Sequence, residues 1–212
     1  MQKMFWEDPY LKSDHAKITS IDGNVMTLDR TIFFAFSGGQ ASDSGSINGI
    51  KVVEAKKVEK EILYTIESDH DLKKDDLVEV VIDWEKRYKI MRLHFAAEII
   101  LELMVQNFND PKKIGANITE EKARVDFEWA GNISETFPLL EKKAREIIDS
   151  NVPIVSEFSD EEKEIRYWQV DGFAKVACGG THIRKTGEVG EILLKRGKRL
   201  GKDKERIEIY LK

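Results

Sequence analysis

The stretch WEKRYKIMRLHFAAEIILELMVQN, residues 84–107, decides the fold of the second half of the chain. It contains no glycine or proline and is rich in residues that favour helices. Apolar side chains recur at helical spacing over a wide face, so the pattern predicts a long, largely buried α-helix. Asp83, directly before it, is typical of a helix N-cap. We place a domain boundary here, with one domain over residues 1–83 and another over 84–212.

The residues before this helix read as short β-strands. Strand-like runs fall within residues 16–36, 45–58, 61–68 and 76–83. Turn signals separate them, notably Asp22-Gly23-Asn24 and Asn48-Gly49. Five or six short strands with regular turns predict a small N-terminal β-barrel.

The residues after the helix mix strands with helices. Strands are predicted within residues 123–129, 152–158, 190–197 and 205–211, and helices over 134–151 and 159–168. This order favours an α+β fold in which a two-layer α/β domain with a mostly antiparallel sheet follows the barrel.

Composition narrows the class of protein. The chain has 212 residues, a formal net charge of −5 and one cysteine. A single cysteine cannot form an internal disulfide, and we see neither a signal peptide nor an apolar run long enough to span a membrane. We therefore expect a soluble, cytoplasmic protein. The negative charge argues against a uniformly basic surface, although local basic patches can still bind nucleic acid.

Four residues in two segments form a candidate metal site. His94 and Glu98 lie one turn apart on the predicted helix, and Cys178 and His182 lie in the loop CGGTHIRKTGEVG, residues 178–190. Thiolate and imidazole are preferred zinc ligands, and a carboxylate can fill a tetrahedral position. The simpler alternatives are a hydrogen-bonded His–Glu pair in the core and a cysteine that packs as a small apolar residue.

Four motifs resemble one family. They are CGGTH followed by TGEVGEI, FFAFSGGQASDSG (33–45), DWEKRYKIMRLHFAAE (83–98) and KKIGANITEEKARVDF (112–127). Together they resemble the editing domain shared by alanyl-tRNA synthetase and the free-standing alanyl-tRNA editing proteins of the AlaX type, and the size resembles the medium-length free-standing form. The matches cover nearly the whole chain from about residue 20.

The chain departs from the family pattern at one position. The family helix carries His-x-x-x-His, whereas this chain has His94 and then Glu98. The sequence leaves three alternatives open. Glu98 is a fourth zinc ligand, or it acts as general base on an activated water, or the site has a lower metal affinity or a different metal preference.

The resemblance implies a zinc-dependent aminoacyl-tRNA deacylase with one zinc ion per chain. Its substrate would be tRNA(Ala) mischarged with serine, with glycine as a second candidate, and its reaction ester hydrolysis at the terminal adenosine. Such an activity is needed because a synthetase pocket rejects poorly an analogue that merely adds a hydroxyl. Two rival interpretations are a tRNA-binding module with a degenerate metal site and a small zinc-stabilised domain without catalysis.

Residue chemistry and the resemblance together give the expected roles. We expect Glu98, Asn117 and Thr181 to be catalytic, and His94, Glu98, Cys178 and His182 to bind the metal. The substrate-binding set is Ser37, Gly38, Gly39, Gln40, Asn117 and Thr119, for which ordinary turn chemistry is the alternative.

Basic residues near the loop would hold the tRNA phosphates. They are Arg184, Lys185, Lys195, Arg196, Lys198, Arg199 and Lys202. A solvated hairpin loop is the alternative for this charge run. We expect the protein to act as a monomer.

Overall fold

The computed structural model describes residues 1–67 and 69–212. The chain divides into two compact units. The first comprises Met1–Ser37 and Ala41–Tyr88, and the second comprises Gly38–Gln40 and Lys89–Lys212. The three residues Gly38–Gln40 therefore belong to the second unit, although their chain neighbours on both sides belong to the first.

The first unit consists mainly of short strands joined by tight turns. Its elements are β1 (Gln2–Lys3), α1 (Met4–Glu7), β2 (Ser13–Asp22), β3 (Val25–Leu28), β4 (Arg30–Thr31), β5 (Gly45–Ile47), β6 (Ile50–Val58), β7 (Glu61–Ile66) and β8 (Leu77–Ile82). Six strands pair in a closed barrel in the order β2-β3-β7-β6-β5-β8, and each of these pairings is antiparallel. Ser68, the last residue of the strand predicted over 61–68, lies outside the described residues.

The turns of this unit follow the glycine and asparagine signals in the sequence. Asn48 and Gly49 have φ angles of 50° and 80° between β5 and β6. A two-residue hairpin turn that matches the right-handed twist of its strands requires positive φ at both residues, and Asn-Gly adopts these angles readily. Alternate residues of the strands, such as Ile18 and Val80, are fully buried in the core of this unit.

A buried ion pair fastens the beginning of the long helix inside the first unit. The Arg87 side chain is inaccessible to solvent. Its Nε donates to Asp43 Oδ1 at 2.7 Å, and one of its terminal nitrogens donates to Asp43 Oδ2. The remaining donors reach the carbonyl oxygens of Ile32 at 2.7 Å and Pro9 at 3.1 Å. Because its charge is paired and each of its three nitrogens finds a partner, this arginine joins three segments that are distant in sequence.

The second unit contains most of the long helix, two antiparallel sheets and a second helix. Its elements are α2 (Trp84–Asn107, whose first five residues belong to the first unit), β9 (Lys113–Ile118), β10 (Ala123–Glu128), α3 (Phe137–Asp149), β11 (Val155–Asp160), β12 (Ile165–Val170), β13 (Ala174–Ala177), β14 (Ile192–Arg196) and β15 (Lys204–Leu211). The sheets have the orders β14-β15-β10-β9 and β11-β12-β13. The predicted α+β class with mostly antiparallel sheets is confirmed.

The helix α2 begins where the sequence predicts. Asp83 Oδ1 accepts a hydrogen bond from the Lys86 backbone nitrogen at 3.1 Å, as an N-cap residue does. The apolar residues of the helix, such as Met91, Phe95 and Ile99, are fully buried. Among the described residues, no helix combines the length and apolar character needed to cross a membrane.

The helix predicted over residues 159–168 is wrong. These residues form the end of β11, a tight turn and the beginning of β12. Glu164 has a φ of 56°, and the Lys163 backbone nitrogen donates to Asp160 Oδ1 at 3.0 Å, so the acidic run that resembled a helix builds a turn. Residues 165–168 pair with β11 across a register shift between Phe158 and Asp160, and Trp168 is fully buried.

Removing one partner of the buried ion pair should destabilise the fold strongly. We expect Asp43→Ala to lower the free energy of unfolding by about 3–5 kcal/mol, because Arg87 would remain charged and buried. Urea unfolding followed by circular dichroism measures this. The matched control is Lys17→Ala, which removes the exposed partner of Asp75 and should leave the midpoint nearly unchanged. Equal midpoints for the two variants would contradict this role of Asp43.

Candidate metal centre

Three side chains from the helix and the glycine-rich loop converge in the second unit. One ligand atom each of His94, Cys178 and His182 lies within 4.8 Å of the other two. Both histidines are buried, and Cys178 is partly buried. The helix therefore supplies one imidazole, and the loop supplies the thiol and the second imidazole.

The arrangement fits a tetrahedral metal ion. Zinc bonds of about 2.0–2.1 Å to nitrogen and about 2.3 Å to sulfur place neighbouring ligand atoms about 3.3–3.6 Å apart. His94 Nε2 lies 3.5 Å from Cys178 Sγ. His182 Nε2 is buried and has no hydrogen-bond partner among the described residues, as expected for a nitrogen that serves as a metal ligand.

A second layer of contacts orients His182. Ser156 Oγ lies 2.9 Å from His182 Nδ1, and the Ser156 carbonyl oxygen accepts from the buried Arg166 guanidinium at 3.1 Å. The Arg166 carbonyl oxygen in turn accepts from the Cys178 backbone nitrogen at 2.9 Å. When Nδ1 donates to Ser156, the lone pair of Nε2 is available for the cluster. Neither Ser156 nor Arg166 was predicted, since nothing in the strand pattern distinguishes them.

Glu98 contacts the histidine on its own helix. Its Oε1 lies 3.3 Å from His94 Nε2, and its side chain is 13% exposed. The group of mutually close ligand atoms comes from His94, Cys178 and His182 and does not include an oxygen of Glu98. Its contact is with the same His94 nitrogen that faces Cys178.

The buried charges favour one protonation pattern. Burial lowers the pKa of His94, but the Cys178 sulfur and the Glu98 carboxylate outweigh it, and the net pKa is raised. Burial and the positive charge of His94 lower the pKa of His182, which is therefore neutral. Burial raises the pKa of Glu98, but the hydrogen bond and positive charge of His94 have the larger effect, so the net pKa of Glu98 is lowered. Glu98 is thus ionised beside a protonated His94, whose proton a metal ion bound at Nε2 would replace.

Close packing and two hydrogen bonds hold the loop against the helix. A Cβ added to Gly180 would overlap the His94 ring at Cε1 and lie 2.7 Å from its Nδ1. Gln40 Nε2 donates to Thr181 Oγ1 at 2.8 Å, and the Thr181 backbone nitrogen donates to Gln40 Oε1 at 3.1 Å. Gln40 and Thr181 are each 1% exposed. Both ends of the Gln40 amide are thus engaged in positioning the loop.

The turn before Gln40 lies against strand β9. Gly39 has a φ of 91°, and a Cβ there would lie 2.7 Å from the Ala116 carbonyl oxygen. The Gly39 carbonyl oxygen accepts from the Ile118 backbone nitrogen at 2.8 Å. Close approach of β9 therefore explains the glycine at position 39. Gly38 also has a positive φ, 62°, but an added Cβ would meet nothing within 4 Å.

The remaining residues assigned to the substrate differ in their surroundings. Asn117 is half-buried on β9, opposite Arg124 and next to Ile118, which pairs with Gln40. Thr119 Oγ1 bonds the backbone of Glu121 and Lys122, which is turn chemistry. Ser37 belongs to the first unit.

The seven basic residues assigned to tRNA are all exposed. Arg196 makes two 2.6 Å hydrogen bonds to the fully buried Glu205 carboxylate, and Arg199 Nε lies 3.4 Å from it. These contacts hold the base of the loop between β14 and β15. Lys198 and Lys202 lie farther along that loop.

Comparison with known proteins defines the class. Residues 165–208 match the family model described as Threonyl and Alanyl tRNA synthetase second additional domain. This segment includes Cys178, His182 and the loop with its basic residues. The loop half of the candidate metal centre therefore lies in a segment similar to this synthetase domain.

Matches over the whole chain are more specific. Alanyl-tRNA editing protein AlaX-M from Pyrococcus horikoshii is 30% identical over 221 residues, which cover 99% of this chain and 97% of that protein. AlaX-M from Methanosarcina mazei is 31% identical over 247 residues, covering 99% and 96%. The alanine–tRNA ligase of Ignicoccus hospitalis is 32% identical over 215 residues, 90% of this chain but 24% of that enzyme. The chain belongs to the AlaX-M family of free-standing alanyl-tRNA editing proteins.

Adding one methyl group at Gly180 should disrupt the metal centre. We expect Gly180→Ala to lower zinc affinity by roughly ten-fold or more, because the overlap forces His94 or the loop to move. Competition with a chromogenic chelator measures the affinity. Gly179→Ala is the matched control, since a Cβ there meets nothing within 4 Å, and neither glycine has a positive φ. The same zinc affinity in both variants would show that contact between the loop and His94 does not shape the site.

Proposed function

We propose that this protein is a zinc-dependent hydrolase that deacylates mischarged tRNA(Ala), chiefly seryl-tRNA(Ala) and also glycyl-tRNA(Ala). The observation that carries the proposal is the buried His94–Cys178–His182 cluster, in a chain similar over nearly its full length to proteins named for alanyl-tRNA editing. The editing domain would be the second compact unit, Gly38–Gln40 and Lys89–Lys212, close to the bounds 84–212 that the sequence predicts. The enzyme would act as a cytoplasmic monomer.

Three residues would hold the metal, with Glu98 beside them. His94 and His182 would contribute imidazole nitrogens, and Cys178 its thiolate. When bound, a zinc ion supplies Lewis-acid polarisation or holds the 3′ end of the tRNA. Glu98 Oε1 lies 3.3 Å from His94 Nε2, so we propose Glu98 as the fourth ligand, with a general base on an activated water as the alternative.

Selection of serine requires a polar group to meet its hydroxyl. Asn117 is the best candidate, because Thr119 is engaged in its own turn and the Gln40 amide is engaged with Thr181. The Thr181 hydroxyl accepts from Gln40 and retains its own proton as a donor. We propose that Thr181 directs this proton toward the reacting ester and that Asn117 contacts the amino acid.

The exposed lysines and arginines near the loop would bind the acceptor-stem phosphates. Arg184 and Lys185 follow the metal loop directly, and Lys195, Lys198 and Lys202 extend the basic surface. Arg196 and Arg199 would contribute less, because they share the charge of Glu205. The alternative function, a tRNA-binding module with a weak metal site, is favoured only by the substitution of Glu98 for the second helix histidine.

Deacylation of mischarged tRNA tests the proposal. The purified protein should hydrolyse seryl-tRNA(Ala) far faster than alanyl-tRNA(Ala), and a chelator should suppress this activity. His182→Ala should reduce the rate by more than about 100-fold, since loss of a residue that merely orients a ligand already reduces metal affinity or activity 10–100-fold. His15→Ala, at an exposed strand position in the first unit, is the control and should match the parent.

The outcome separates the two functions. Binding of tRNA(Ala) without hydrolysis of any of the seryl, glycyl or alanyl esters would refute the hydrolase and leave the binding module. Hydrolysis that survives both the chelator and His182→Ala would refute the metal-dependent mechanism.

A further inference from the structure

A basic cleft lies within the first unit, on residues that the metal centre does not use. Its volume is about 740 Å³, and strand β6 forms one side of it. The segment Ala41–Ser44 and Phe36, both from the glycine-rich stretch, form another part of the lining. All of its lining residues belong to the first unit.

The lining carries an excess of positive charge. Four lysines line the cleft: Lys51, Lys56, Lys57 and Lys86. The acidic residues of the lining are Asp43, which is neutralised by its buried pair with Arg87, and Glu54. Lys51 also lies 3.9 Å from Glu67, but both side chains are exposed, so solvent weakens this pair. A concentration of lysines in a chain of net charge −5 is a local feature suited to an anionic partner.

An exposed aromatic ring accompanies these lysines. Phe36 is 59% exposed and Val53 is 62% exposed, although both are large apolar side chains. The Phe36 backbone nitrogen donates to Ser42 Oγ at 2.7 Å, so the backbone that presents the ring is tied down. Exposed aromatic faces combined with a basic groove are the features by which proteins bind single-stranded nucleic acids, because each base can stack on a ring while lysines follow the backbone.

We propose that this cleft binds a single-stranded RNA segment, with a base stacked on Phe36 and the phosphates held by the four lysines. In the context of the proposed function, on which this assignment to the substrate rests, the segment is the unpaired 3′ end of the tRNA.

Fluorescence anisotropy with a labelled, unstructured 12-nucleotide RNA tests the stacking contact. Phe36→Ala should weaken binding roughly ten-fold, as loss of one stacked base does. Leu77→Ala, which truncates an apolar residue that is 70% exposed and lies outside the cleft, should bind as the parent does. A blunt RNA duplex should be much less sensitive to Phe36→Ala, because its bases are not available for stacking.

The salt dependence tests the lysines. Each phosphate that a protein neutralises on a single strand adds about 0.7 to the slope of log Kd against log salt concentration. The double variant Lys56→Ala/Lys57→Ala loses two such contacts and should therefore lower the slope by about 1.4. The control is Lys73→Ala with Lys74→Ala, an exposed pair in the same unit that does not line the cleft, and it should leave the slope unchanged. Circular dichroism melts verify that all variants fold.

Each outcome bears on the cleft independently of the catalytic proposal. Parent-like affinity in Phe36→Ala together with a parent-like slope in the cleft lysine variant overturns the RNA site, even if seryl-tRNA(Ala) is hydrolysed. Competition by polyglutamate, with no effect of Phe36→Ala on RNA binding, would assign the cleft to an acidic peptide and also overturn it. The third outcome is that the protein shows no deacylase activity, but Phe36→Ala weakens RNA binding and the cleft lysine variant lowers the salt slope. This result would support the cleft as an RNA site and refute the proposed function.

Discussion

The candidate metal centre depends on the paired hydrogen bonds between the Gln40 amide and Thr181. They join residues 141 positions apart in the sequence, in surroundings almost inaccessible to solvent. Burying an amide requires that its donor and acceptor both find partners, since each unsatisfied group destabilises the fold by about 1–3 kcal/mol. Gln40 also pairs with Ile118 of β9 through the backbone. The glycine-rich turn, β9 and the metal loop are therefore held together by a single residue.

The same residues show what the sequence could and could not predict. The ligands predicted from the zinc preference for imidazole and thiolate and from the family resemblance were His94, Glu98, Cys178 and His182. The structure brings His94, Cys178 and His182 together. The hydrogen bonds of Gln40 could not be predicted, because they join segments whose spacing carries no periodic signal. Substrate binding by Gln40 stays a prediction, but its amide is already engaged with Thr181. The long helix and the hairpin turns followed local rules that tertiary contacts did not override.

The error over residues 159–168 has a specific cause. The acidic run SDEEKE has a composition common in helices, whereas pairing with the neighbouring strand and burial of Trp168 require an extended backbone. Cross-strand contacts of this kind are not visible in a short window. Ser156 and Arg166, which support the two loop ligands, lie in the same hairpin. The region that sequence patterns described least well is thus the region that orients the candidate site.

Glu98 stands one helical turn after His94, where the pattern expected from the resemblance has a second histidine. The carboxylate lies 3.3 Å from His94 Nε2, a separation compatible with two ligands of one tetrahedral ion. The central claim is that one metal ion is held by His94, Cys178 and His182, with an oxygen ligand completing the shell. X-ray absorption spectroscopy of the zinc-loaded protein measures this shell directly. We expect one sulfur at about 2.3 Å and three nitrogen or oxygen atoms at about 2.0–2.1 Å. A shell without sulfur would contradict the account.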